Sequence, residues 1–435
     1  MNLLVFTSYF PPMAYTPTQG IWKKMKYLSD KGDKITIVRP LTGKYHGREN
    51  CFLNYPFKEI KIWSFSKTDI KWLFNRKHLI ELEKYWGGMS NPNFLQRVEI
   101  FIKKYLLLPD GLFLFPLFAL FRLLLVKKNN YDLIYARIPL PSMAIAGYLI
   151  SKIKGIPLCI DYYDQWFGSA HFDNLVGYRK KLEYLIEKKI LKHANIIFTS
   201  TKYHRVFLIN SFHIRENKIY HINGCVDKND FENIIVNKVK RKFTITYTGS
   251  FNNLTQPIEE VISPKPFLNS VKEAVNLGYL DIDDLELNFV GYFGENNYDL
   301  IKEYQLESVI NLIDHVDHRS SINYMLSSDV LLLVLFTGNE AKRRVNYKLY
   351  EYLWTRKPIL ALTPEGETSE IIKSHKMGII CNPNDTCEII NALRQLYIMY
   401  KNKTLNNEFS NTHDLHWCEL NTIGSKIYTQ LHGLK

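Results

Sequence analysis

Lys348 and Glu351 stand three residues apart in Val345–Leu362, VNYKLYEYLWTRKPILAL, a stretch patterned to start a helix. On a helix that spacing projects both heads from one face. Asn346 is of the type that caps helices by accepting from first-turn N–H groups, and the N–H groups left over can hold an anion. A cation and a carboxylate beside a helix N-terminus suit a ligand with both phosphates and sugar hydroxyls. The same spacing also describes an exposed ion pair on an ordinary helix, which is commoner and contributes little. The basic turn Arg356-Lys357-Pro358 closes the helix, and the apolar residues after it read as a strand.

A second candidate is Asp164, in Asp161-Tyr162-Tyr163-Asp164-Gln165-Trp166. It follows an apolar strand, the place where open parallel sheets take ligands. It can orient or deprotonate a hydroxyl, and an aspartate capping a turn fits the position equally well. Gly20 stands at an expected helix start, where it permits close backbone approach by a phosphate or simply serves a turn. Two acidic clusters imitate metal sites. Asp281-Ile282-Asp283 lies in a polar connector and reads as a solvated loop, and Asp314-His315-Val316-Asp317-His318 lacks the spacing of a metal motif. No metal is expected.

The elements that must position these residues alternate. Leu3–Thr7 is a continuous apolar run, as in a buried parallel strand, and Ser8-Tyr9-Phe10-Pro11-Pro12 makes a stiff loop. A helix is expected over Ile21–Lys31, then a strand at Lys34–Val38, which is the β-loop-α-β opening of a doubly wound sheet. Lys44–Gln96 is less periodic and reads as excursions from the core, with one strand-like piece at Lys58–Phe65. Strands follow at Tyr131–Ala136, Pro157–Asp161, Asn195–Thr199 and Lys218–Ile222, with helices at Ser142–Lys154 and Leu182–His193. Polar Asp227–Lys242 reads as linker. A second series begins with the strand Phe243–Tyr247 and the turn Thr248-Gly249-Ser250. It continues through strands at Leu285–Val290, Val309–Leu312, Val330–Leu335 and Gly378–Cys381, and helices at Ser320–Leu326 and Thr386–Lys401. The expected division is an N-terminal Rossmann-like domain over 1–227, a linker over 228–242 and a second such domain over 243–412. A C-terminal helix over 413–435 is expected to pack back toward the first domain.

A chain of 435 residues with 46% hydrophobic and 23% charged residues is an ordinary globular protein of more than one domain. Its formal net charge of +13 implies anionic company. The basic residues are dispersed and no zinc-finger, basic-zipper or RRM pattern accompanies them, so nucleic acid is not an expected partner. Six cysteines without a C-x-x-C pair indicate reduced, cytoplasmic usage, and the first residues have no signal-peptide character. Leu112–Val126 is greasy but interrupted by Pro116 and Arg122, and it is shorter than the ~20 residues a bilayer span needs. It reads as a buried helix, or as a surface that dips into a membrane.

The order of these parts resembles the GT-B glycosyltransferases, specifically the retaining enzymes of family 4. The resemblance rests on LLVFTSYFPP with Gly20, YDLIYAR at Tyr131–Arg137, GIPLCIDYYDQW at Gly155–Trp166, and HANIIFTST at His193–Thr201. Further along it rests on INGCVDKNDF at Ile222–Phe231, YTGSF at Tyr247–Phe251, SSDVLLL at Ser327–Leu333, and NYKLYEYLWTRKPILAL followed by TPEGE. It implies an α/β fold of two Rossmann-like domains facing across a cleft, with a nucleotide-sugar held by the second. It implies that Glu351, the second glutamate of an E-x7-E pair, contacts the ribose. The first glutamate would stand at Arg343 and is missing, although K-x-x-E-Y forms like Lys348–Tyr352 occur in the family. Arg343, Lys348 and the backbone N–H groups of Asn346 and Tyr347 are then expected at the diphosphate. Gly249 is expected beside the donor, His315 and Val316 beside the base, and Asp164 at the acceptor. The implied activity is transfer of a sugar to a bacterial surface polysaccharide or lipid-linked oligosaccharide, without a metal or other cofactor. Peripheral contact with the inner face of an anionic cytoplasmic membrane is compatible with it. Nucleotide-sugar epimerisation, or a non-catalytic partner protein with a decayed donor site, are the alternatives.

Overall fold

The computed structural model describes residues 1–11, 13, 16–41, 57–64, 109–125, 130–173, 175–234, 242–251, 262–409 and 414–434. Most of the irregular stretch expected at Lys44–Gln96, and 235–241 of the expected linker, lie outside the described residues. Two compact units emerge, one comprising the described residues up to 224 together with those from 420 onward, the other those of 225–419.

In the first unit, β1 (Asn2–Phe6), β2 (Lys34–Pro40), β3 (Lys58–Ile62), β4 (Leu133–Ile138), β5 (Leu158–Tyr162), β6 (Ile196–Thr199) and β7 (Ile219–His221) form one sheet in the order β3-β2-β1-β4-β5-β6-β7. Every pairing is parallel. All residues of β4 and β5 are buried, because helices cover both faces and leave no polar side for the pattern to alternate toward. The longer helices are α1 (Thr16–Asp30), α2 (Phe115–Leu124), α3 (Pro141–Lys154), α4 (Gly177–His193) and α5 (Lys202–Phe212). The last helix of the chain, Leu420–His432, also belongs to this unit and packs on α1. Gly424 makes that approach close, since a Cβ there would run into the Tyr27 ring, and His432 Nε2 lies 3.0 Å from Asp33.

In the second unit, β8 (Phe243–Thr248), β9 (Leu285–Val290), β10 (Ile310–Ile313), β11 (Val330–Val334), β12 (Ile359–Leu362) and β13 (Gly378–Cys381) are ordered β10-β9-β8-β11-β12-β13, again all parallel. Its helices include α6 (Lys265–Asn276), α7 (His318–Ser327), α8 (Tyr347–Thr355), α9 (Glu367–Ser374) and α10 (Thr386–Lys401). One apolar cluster joins β8, β9 and α6 to α10 through Phe243, Leu287, Phe267 and Leu393. Another, on the opposite face, joins Leu331, Leu333, Ile359 and Ala361 to Leu349 and Leu353 of α8. Strand order reverses between β1 and β4 in the first sheet and between β8 and β11 in the second. Open parallel sheets hold ligands outside the carboxyl ends of their strands at such reversals.

Candidate functional site

The strongest constellation lies at the reversal of the second sheet. β8 runs out at Thr248, and Gly249 follows with φ +134°, a conformation that L side chains rarely adopt. From the other side of the reversal, α8 is tied down by Tyr352. Its hydroxyl accepts from the Thr248 N–H at 3.0 Å and donates to the Leu332 carbonyl at 3.3 Å. Lys348 stands one turn before Tyr352 on the same face. Its ammonium therefore comes down over Gly249, so close that a Cβ at 249 would collide with it, and 3.9 Å above the centre of the Tyr247 ring. Among the described residues no carboxylate lies within ion-pair distance of that ammonium. Burial pulls its pKa down to about 7, against the upward pull of Glu351.

Glu351 is 6% exposed, and its Oε1 lies 2.7 Å from His318 Nε2. The exposed Lys–Glu pair that spacing alone allowed is absent: the carboxylate is buried and engaged by an imidazole. His318 opens α7, whose N-cap Asp317 accepts from Ser320 N–H at 3.0 Å and Ser320 Oγ at 2.6 Å. The sequence reading weighs His318 only within a metal-like cluster and puts its neighbours His315, which is exposed, and Val316, which is half-buried, beside the base. The signal was Asp317 followed by Ser320: it marks a helix start just past β10, and so places His318 at the ligand edge of the sheet.

Asn346 corrects an expectation. It occupies the N-cap of α8 with an extended backbone, but its side chain makes no capping hydrogen bond. Its carbonyl takes the structural role instead, accepting from Leu349 N–H at 2.9 Å, so the first-turn N–H groups have no side-chain cap. Tyr347 is buried and its hydroxyl donates to the Cys225 carbonyl, which leaves only its backbone for a ligand. Arg343 ends the short turn Ala341–Arg343 ahead of α8. Asn252–Gln256, after Gly249, lies outside the described residues.

In the first unit, Asp164 sits half-buried just beyond β5. The loop carrying it is pinned by two fully buried glutamates of α4. Glu183 accepts from Trp166 Nε1 at 2.9 Å and Arg179 Nε at 2.8 Å, and Glu187 from Tyr162 OH at 2.6 Å and Phe167 N–H at 3.0 Å. Burial pushes the Glu187 carboxyl up to about 8 even though its two donors pull it down. Before the loop, buried Asp161 is met by Tyr135 OH at 2.6 Å, Arg137 at 3.0 Å and Lys24 at 3.3 Å. Burial would raise its pKa, but the cations and the phenol outweigh it and the pKa falls. Arg137 also stacks 4.9 Å from the Tyr163 ring, so the network braces the start of the loop.

Gly20 requires a second correction. α1 begins at Thr16, five residues ahead of the expected start at Ile21, because Pro17 pre-sets the helical φ. Gly20 and its N–H thus lie past the four unpaired donors of the first turn and not at the helix start. Asp281 of the D-x-D accepts from Asp283 N–H at 3.0 Å in a short turn. Among the described residues no cluster of three His, Cys, Asp or Glu is arranged to hold a metal, and no helix is long and apolar enough to cross a membrane.

No protein-family model matches the chain, and no curated protein sequence matches it. Solved structures do. Anabaena HepE in complex with UDP superposes with a TM-score of 0.66 at 12% identity, over 99% of both chains. WaaG, a glycosyltransferase involved in lipopolysaccharide biosynthesis, superposes at 0.62 with 11% identity over 99% of this chain and 100% of its own. A putative UDP-N-acetylglucosamine 2-epimerase from Listeria monocytogenes superposes at 0.57 with 11% identity over 100% of this chain and 96% of its own. The fold is that of the GT-B glycosyltransferases, two Rossmann-like doubly wound units in one chain.

Proposed function

We propose that the chain is a retaining, family 4-like glycosyltransferase that moves a sugar from a nucleotide-sugar to a surface-polysaccharide or lipid-linked oligosaccharide acceptor. The observation that carries this reading is the Lys348 ammonium, seated over Gly249 at the reversal of the second sheet without a carboxylate partner. A diphosphate is the counter-ion such a seat lacks. As the glycosidic bond breaks, negative charge grows on the departing diphosphate. Lys348, Arg343 and the uncapped N–H groups at the start of α8 are placed in this reading to stabilise it without proton transfer. Glu351, one turn on, takes the ribose hydroxyls, His315 and Val316 flank the base, and Asp164 orients the acceptor hydroxyl. HepE's complexes with UDP and UDP-glucose support a nucleotide-sugar as the ligand class.

The acceptor side is proposed to work at a membrane. On α2, Phe115, Ala119 and Leu123 are buried, whereas Leu117, Phe121 and Leu124 are exposed together with flanking Phe113 and Leu125. Arg122 and the following Lys127-Lys128 add positive charge and no acid intervenes, the pattern of an element that lies on an anionic bilayer.

The test is turnover with a panel of UDP-, GDP- and other nucleotide-sugars. Release of nucleoside diphosphate that disappears in Glu351→Ala and Lys348→Ala, and falls in Asp164→Asn with donor affinity retained, is expected. Interconversion of the free donor without nucleotide release would make the chain an epimerase, and binding without any turnover would make it a partner protein.

A further inference from the structure

We propose that His318 is a positioning residue for donor recognition: it holds Glu351 by one carboxylate oxygen so that the other is presented to the ribose hydroxyls. The inference rests on the reading of Glu351 as the ribose ligand. A carboxylate oxygen only accepts, so at 2.7 Å from Oε1 the proton sits on His318 Nε2. Among the described residues Oε2 has no hydrogen-bond partner. That oxygen can take the vicinal hydroxyls of a ribose, both of which are donors.

An unheld glutamate would have to surrender the freedom of three rotors on each binding event. Here the imidazole takes up that cost in advance. The imidazole in turn is held from two further sides. Its backbone opens α7 under the Asp317 cap, and its Nδ1 faces Asp230 Oδ2 at 3.9 Å, from the short turn Lys228–Phe231. The side chains of His318 and Glu351 are only 16% and 8% exposed, so water competes weakly for this contact. The interaction spans 33 residues of sequence and joins the start of α7 to the middle of α8.

A merely structural staple between two helices would predict a loss of stability and an equal loss of affinity for every nucleotide. A positioning role predicts a loss that depends on the ribose. The experiment measures dissociation constants of UDP, 2′-deoxy-UDP and 3′-deoxy-UDP, with the GDP series alongside, for wild type, His318→Ala, His318→Gln and Glu351→Gln. The amide of glutamine can donate from nearly the place of Nε2. Expected are about a tenfold weakening of the ribonucleotide in His318→Ala, about 1.4 kcal/mol, with little change for the deoxy analogues, and recovery in His318→Gln. If His318→Ala keeps the wild-type ribose-to-deoxyribose ratio while Glu351→Gln collapses it, the positioning role is overturned and the ribose reading stands. If Glu351→Gln leaves the ratio untouched, or no nucleotide binds, the reading beneath it falls as well.

Discussion

Raising the pH from 7 to 8.5 should weaken binding of UDP-glucose about 15-fold, and Lys348 alone should account for it. In the free protein this amine titrates at about 7, because its ammonium is buried against Tyr247 and Gly249. A diphosphate charge about 4 Å away is worth roughly 4 kcal/mol at an effective dielectric constant near 20, equivalent to about three pKa units. The bound amine therefore stays protonated throughout this interval. The free protein must take up about half a proton on binding at pH 7 and about one at pH 8.5. UDP-glucose suits the experiment because both of its phosphates are esterified and neither titrates here. The facing groups are the Tyr247 phenol, whose pKa burial pushes far above this range, and the Glu351 carboxylate with its His318 partner. Calorimetry in two buffers of different ionisation enthalpy reads the proton uptake directly. A flat affinity profile, zero uptake at pH 8.5, or the same profile in Lys348→Met refutes the argument. The same depression has a stability counterpart. Between about 7 and 10.5 the unfolded chain holds the Lys348 proton and the folded chain does not, so stability rises with pH across that window. The melting temperature of wild type should climb relative to Lys348→Met from pH 7 to 9.

Three further outcomes follow from particular contacts. Gly249→Ala should cost about 1–3 kcal/mol of stability from the φ of +134° and, by displacing the Lys348 ammonium, weaken UDP binding at least tenfold in a titration. Glu183→Ala removes the buried carboxylate to which Arg179 and Trp166 Nε1 donate, so urea unfolding followed by tryptophan fluorescence should show a loss of about 3–5 kcal/mol in the first unit. Phe121→Glu, at the most exposed large hydrophobic residue within α2, should abolish co-sedimentation with anionic vesicles while leaving nucleotide binding unchanged.

Much of the architecture is legible in local pattern. The strands Leu285–Val290 and Gly378–Cys381 and the helix Thr386–Lys401 have the bounds their apolar runs and polar edges predict. Buried parallel strands announce themselves as unbroken aliphatic runs, and helices covering them stop at residues such as Gly155. Helix α5, in contrast, is not predicted by the sequence pattern. Its buried His204, Leu208 and Phe212 keep a strict four-residue spacing, but Val206 and Phe207 between them blur the stripe. At the site, the shared helix face of Lys348 and Glu351 is written in their three-residue spacing, yet what each side chain meets is not. Gly249 lies 99 residues before Lys348 and His318 lies 33 before Glu351, and only the sheet order brings them together. Asn346 shows the opposite limit: a residue of capping type at a capping position whose carbonyl, rather than its side chain, makes the bond.

The central claim is that a nucleotide-sugar sits at the start of α8, and a crystal structure with the bound nucleotide tests it most directly. The account predicts ribose hydroxyls within hydrogen-bond distance of the Glu351 carboxylate and a diphosphate oxygen against the Lys348 ammonium beside Gly249. A nucleotide bound elsewhere, with Glu351 still engaged by His318 alone and Lys348 still without an anion, would contradict it.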